Sequence, residues 1–154
     1  MKSVRLSQIL FFALVVLMAA CKGGSPKEMI TKKWKVDADA FEKLMKEEIE
    51  KMKKDKPEEA KNMEQGLGML KGMMGSVTFE FKADGTAEMS MTAMGQSETK
   101  KGKWTISEDG KKLTLEEEGG KKEDMDIEEL SKSKLVLKNK MGKEEIKLPF
   151  VPAN

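Results

Sequence analysis

The 154-residue sequence has no histidine and no tyrosine, one cysteine (Cys21) and one arginine (Arg5). Without histidine there is no imidazole base, no Ser–His dyad and no histidine-containing zinc site. A single thiol closes no internal disulfide. Carboxylate or lysine chemistry remains open in form, but no paired motif points to it, and the sequence argues against an enzyme. After the first twenty residues no apolar run is long enough to cross a membrane. Charge is abundant but balanced. Once Lys2 and Arg5 are set aside, basic and acidic residues are equal in number, which gives no reason to expect nucleic acid or an anionic surface as partner. No cofactor is implied by any motif.

What is present begins with the setting of the thiol. Lys2 and Arg5 precede an apolar run from Ile9 to Leu17, the length of a signal core rather than of a span. Ala19 and Ala20 are small residues of the kind a signal peptidase requires, and Cys21 follows directly. Leu17-Met18-Ala19-Ala20-Cys21 resembles the lipobox of bacterial lipoproteins, with Met18 where leucine is more usual. That resemblance implies a signal peptide over 1–20 and acylation of Cys21 by diacylglycerol and fatty chains such as palmitate. Lys22 follows where an aspartate would signal inner-membrane retention, and no acidic cluster resembles a surface-export signal. The expected address is the bacterial cell envelope: lipid-anchored, in the outer membrane, facing the periplasm. Residues 21–30, with Gly23-Gly24-Ser25-Pro26, read as the acylated cysteine and a flexible tether. Residues 31–154 are the size of one domain.

Two periodicities divide that domain. Lys32–Asp37 is strand-like, with Trp34 and Val36 on one face. A helical hairpin follows over about residues 38–74: Phe41, Met45, Ile49 and Met52 recur at helical spacing, and Met63, Leu67, Leu70 and Met74 repeat it. Between the arms, Asp55 stands as the expected N-cap of the second helix, with Glu58 three residues on. From Ser76 the period is two. Val77, Phe79 and Phe81 alternate with polar residues, Asp84-Gly85 and Asp109-Gly110 are hairpin turns, and Gly119-Gly120, Ser131–Lys134 and Met141-Gly142 punctuate the rest. Pro149 suggests an edge-like or terminating last strand. About eight strands result, in a mainly β antiparallel meander that needs closure or a cover for its apolar face.

Lys32-Lys33-Trp34-Lys35-Val36, Phe79-Glu80-Phe81-Lys82-Ala83-Asp84-Gly85-Thr86 and Gly102-Lys103-Trp104-Thr105-Ile106 resemble, in that order, the bacterial lipocalin-like lipoproteins. Asp109–Leu115 and Ile127–Ser131 extend the resemblance, which covers roughly 31–150 around the helical insertion. Lys32 replaces the glycine expected two places before the first tryptophan, and no arginine is available to pack beside it. The resemblance implies an eight-stranded barrel with a two-helix insertion after the first strand. It also implies a non-enzymatic protein that binds an apolar small molecule or lipid.

Candidate pocket residues are Trp34, Phe79, Phe81, Met89, Met91 and Trp104, and alternation alone would equally make them core. Met45, Met52, Met63 and Met74 are the candidate lid, pliable enough to gate a ligand, or else a permanent flank. A filled barrel serving as an envelope scaffold for a protein partner is the alternative. The acids from Glu116 to Glu129 do not match a calcium loop, and Asp124, Asp126 and Glu128 share a solvent face, so no metal is expected. The lysines from Lys43 to Lys56 read as a solvated helix face.

Overall fold

The computed structural model describes residues 24–93, 95–141 and 144–153; the expected signal peptide and Cys21 lie outside them. Helix α1 is Pro26–Ile30, followed by β1 (Lys33–Val36), α2 (Ala38–Asp55) and α3 (Pro57–Gly75). Strands β2 (Thr78–Phe81), β3 (Thr86–Ala93), β4 (Gln96–Ile106) and β5 (Lys112–Glu117) come next. The chain ends with β6 (Lys122–Leu130), β7 (Leu135–Met141) and β8 (Glu144–Pro152).

Every strand pairs antiparallel with its sequence neighbours, and β8 pairs back onto β1, closing an eight-stranded barrel. Closure removes the edges that an open meander would expose. The join is made at Trp34 opposite Pro152 and Val36 opposite Phe150. The turns follow the glycines: Gly85 and Gly110, at φ +87° and +70°, occupy the left-handed region that their hairpins require. Asp84 and Asp109 fasten the same turns by accepting from the backbone N–H of Thr86 at 2.8 Å and of Lys111 at 3.1 Å.

The expected meander, its strand count and its helical insertion are all present, and three details differ. Asp55 does not cap the second helix; it is the last residue of α2. Lys56 takes the N-cap position without a side-chain capping hydrogen bond, and Pro57 opens α3. A proline at the first helical position pre-sets φ and expels its predecessor from helical geometry, so the break needs no capping side chain. Pro149 does not mark an edge, because β8 is paired on both sides. Its missing N–H falls just past the end of β1, where its carbonyl accepts from Asp37 N–H at 2.9 Å. Finally, residues 26–30 are not tether. Ser25 and Glu28 form a capping box, and the turn they start buries Ile30 completely.

The two ends of the barrel are therefore unlike. At one end α1 acts as a plug: Ile30 is buried, and Trp34 Nε1 donates to the Ile30 carbonyl at 2.9 Å. At the other end the chain leaves β1, makes the α2–α3 hairpin and returns into β2. The hairpin packs mainly on β8, β1 and β3.

Candidate functional site

The barrel's inward-facing side chains change character along each strand. At the α1 end they are sealed. Trp34, Phe81, Leu113, Leu135 and Phe150 are at most 1% exposed, and Trp104 is 3% exposed. An aromatic cluster fills the space, with Phe81 edge-on to Trp104 at 5.5 Å and Phe79 edge-on to Phe150 at 5.6 Å. Trp104 Nε1 donates to the Lys82 carbonyl at 2.9 Å, so neither indole leaves a polar group unpaired.

Two residues further toward the hairpin, the same inward register becomes half-buried. Phe81 gives way to Phe79, Ala87 to Met89 and Met91, Leu113 to Leu115, and Phe150 to Leu148. On the other strands it becomes polar: Trp104 gives way to Gly102 and Lys100, Met125 to Glu123, and Leu137 to Asn139. Cross-strand pairing places Met89 opposite Lys100 and Met91 opposite Glu98. Asn139 Nδ2 donates to Glu123 Oε1 across the β6 and β7 walls. The result is a half-buried apolar wall bordered by polar groups at the hairpin end, above a packed floor. Ile106 and Leu130 are half-buried too, but they sit singly at the opposite rim.

The six candidate pocket residues are thus divided. Trp34, Phe81 and Trp104 are floor, whereas Phe79, Met89 and Met91 belong to the half-buried wall. Leu115 and Leu148, not singled out by sequence reasoning, belong to it as well. Their alternation was visible, but the strand register that gives their height was not.

The candidate lid is divided in the same manner. Ile49, Ala60 and Leu67 form a separate buried seam between α2 and α3, with Met45, Met52 and Met63 packed around it. Met74 and Leu70 pack on the barrel core, and Met45 touches both clusters. An ionic clasp joins the arms near the barrel: Lys71 of α3 reaches Asp39 and Glu42 of α2, each at 2.7 Å. Hydrogen bonds from Lys46 and Lys71 hold the Glu42 carboxyl down from 4.5 to about 2. The carboxylates beside Lys71 raise its pKa in turn. On the outer side of α3, Met69 remains 80% exposed.

Three surface clefts accompany these features, each of about 450–470 Å³. One lies on the barrel wall around Gly102, Lys103, Glu116 and Glu118, one in the α2–α3 groove around Ile49 and Leu67, and one beside α1 near Met29 and Gly110. None is lined by a candidate pocket residue. Charged rims and shallow floors make them poor sites for an apolar ligand. Among the described residues, no three histidine, cysteine, aspartate or glutamate side chains converge as a metal site. No helix among them is long and apolar enough to cross a membrane.

Residues 30–137 match the family model of the lipocalin-like domain. The comparison with curated proteins gives no match. With more than half its length covered by that model, and with the closed antiparallel eight-stranded barrel it folds into, the chain belongs to the lipocalin-like domain family.

Proposed function

We propose that this is a non-enzymatic, lipid-anchored lipoprotein of the bacterial cell envelope that takes an apolar small molecule or lipid into a recess along this half-buried wall, beneath the helical hairpin. The observation that carries the binding reading is the gradient along the barrel axis. Inward apolar side chains are sealed at the α1 end, yet Phe79, Met89, Met91, Leu115 and Leu148 keep solvent access at the other. Inward apolar surface left wet is surface a ligand can cover, and each Å² so covered contributes about 25 cal/mol. Methionines suit such a wall because they repack around ligands of different shape. The family's barrel supports the same reading. The anchoring reading rests on the lipobox-like run ending in Cys21, and the outer membrane facing the periplasm is the compartment it favours.

The test is titration of the full-length protein, extracted in detergent and exchanged free of it, with a fluorescent fatty acid. Saturable one-to-one binding is expected, and Met91→Lys should weaken it by about tenfold or more, since it buries a charge against an apolar chain. Non-saturable binding, or equal binding by Met91→Lys, would exclude the recess. A co-purifying protein without bound lipid would favour the scaffold alternative instead. Mass spectrometry of the N-terminal peptide tests the anchor separately; an unmodified thiol at Cys21 in membrane-derived protein would end that part of the proposal.

A further inference from the structure

We infer that the first half of β4 is a strand-pairing surface for a second copy of this chain, joined antiparallel about Thr99. The inference is independent of the ligand and of the anchor proposed above.

The first argument is an unpaired edge. The barrel closes as a belt, and β4 outruns it. Strand β3 pairs with β4 from Gln96 to Lys103, but β5 pairs with it only from Gly102 to Ile106. Residues 96–101 therefore have a strand on one side alone, and all six are exposed. Trp104 N–H donates to the Gly85 carbonyl, on the β3 side. Backbone groups alternate in direction along a strand, so those of Ser97 and Thr99 point the other way, where no strand lies. Strands β8 and β3 also outrun a neighbour at this end, and there a helix stands in: α2 packs on β8 and α3 on β3. Among the described residues nothing comparable covers β4. An uncovered edge of this kind offers ladder hydrogen bonds to an extended chain.

The second argument is charge, and it selects the occupant. Lysines on an edge ordinarily discourage pairing, and Lys100 and Lys101 oppose most partners here. A second copy is different. With Thr99 opposite Thr99, each Glu98 directly faces the other copy's Lys100, and Lys101 faces the uncharged Ser97. One step either way sets Glu98 against Glu98 or Lys100 against Lys100. Opposite charges across an antiparallel pair stabilise it and like charges destabilise it, so Glu98-Thr99-Lys100 is complementary to itself in one register. The neighbouring charges agree with that register. Within one copy Glu98 and Lys100 lie 3.7 Å apart, and Lys101 has Glu88 at 3.9 Å. Glu117 sits opposite Gly102, with Glu118 next to it, at the end of the strip where the second copy brings Gln96 and Ser97. Because Gly102 already has Glu117 beside it, the shared ladder runs from Ser97 to Lys101, about 16 Å. A strip that short makes a weak, concentration-dependent dimer. Met89 and Met91 lie opposite Lys100 and Glu98 on β3, so the second copy's charges stand at the border of the half-buried wall.

The experiment uses the full chain, exchanged free of detergent, carrying Thr99→Cys and treated with a short thiol-to-thiol cross-linker. Peptide mass spectrometry separates linkage at position 99 from linkage through Cys21. Linkage of 99 to 99 is expected, and none with Thr105→Cys, which faces the same side of β4 but lies opposite Thr114 of β5. Sedimentation velocity then reads the charges. Glu98→Lys or Lys100→Glu alone should weaken self-association by roughly tenfold, because two facing pairs turn from attraction to repulsion. Glu98→Lys combined with Lys100→Glu should restore it. Both positions are exposed, and circular dichroism checks that each variant keeps its fold. Equal linkage at 99 and 105, a monomer up to the highest soluble concentration, or a double exchange no better than either single one would overturn the inference. Linkage from 99 to a different protein, with none to a second copy, would assign the edge elsewhere and overturn it too.

Discussion

The barrel and the helical hairpin use glycine in opposite ways, and the contrast separates a region fixed by geometry from one held by packing. In the wall, Gly102 lies so close to β5 that a methyl group there would meet the Glu116 carbonyl oxygen at 2.4 Å. In α3, Gly66, Gly68 and Gly72 face open space, with nothing within 4 Å of where a side chain would begin. The wall requires its glycine. The helix is weakened by its own, each costing about 1 kcal/mol relative to alanine. With so little intrinsic helix stability, α3 is held in place by Leu70, Met74 and the Lys71 clasp.

Five substitutions sharpen or break that contrast. The largest effect is expected at the floor: Trp34→Ala should cost about 3–5 kcal/mol in urea unfolding, because it empties a sealed site and removes one of the two donors to the Ile30 carbonyl, leaving only Lys32 N–H. Next comes Gly102→Ala, expected to destabilise by about 1–3 kcal/mol as β4 and β5 are forced apart. A neutral result there would remove the argument that the wall is geometrically fixed. In the hairpin the sign reverses. Gly66→Ala and Gly72→Ala should each stabilise α3 by up to about 1 kcal/mol, measured as slower amide exchange in that helix, and should slow ligand entry if the hairpin must move. The mildest effect is on pH dependence. Glu42 ionises at about 2 in the fold and nearer 4.5 when free, so its contribution is complete above about pH 4.5 and is lost as pH falls toward 2. Exchange protection of α2 and α3 should fall over that window relative to the barrel, and Glu42→Gln should flatten the difference.

The barrel was legible because period-two alternation and Asp-Gly turns are local signals, and the hairpin because Met and Leu recur on one helical face. Helix α1 was not. Ser25-Pro26-Lys27-Glu28 has the composition of a linker, and a five-residue helix carries too little periodicity to reveal its cap as a cap. Asp55 misled for the opposite reason: a good capping residue stood where Pro57 had already fixed the break. The site was legible in part. Alternation assigned Phe79 and Phe81 to the same face correctly, but it carries no information on height within a barrel, which arises from pairing between distant strands. One step of two residues separates a plugged floor from a half-buried wall.

The ladder between β1 and β8 also dictates when the molecule can finish folding. Lys33 O accepts from Ala153 N–H at 2.9 Å, so the first strand waits for the last few residues of the chain before its second side is covered. Until then the nascent sheet has an unpaired margin along β1, and a seam of such high sequence separation is the kind of contact expected to close late. Removing even the last few residues at the carboxyl end would leave that seam partly unzipped, with its bare margin free to join a neighbouring chain.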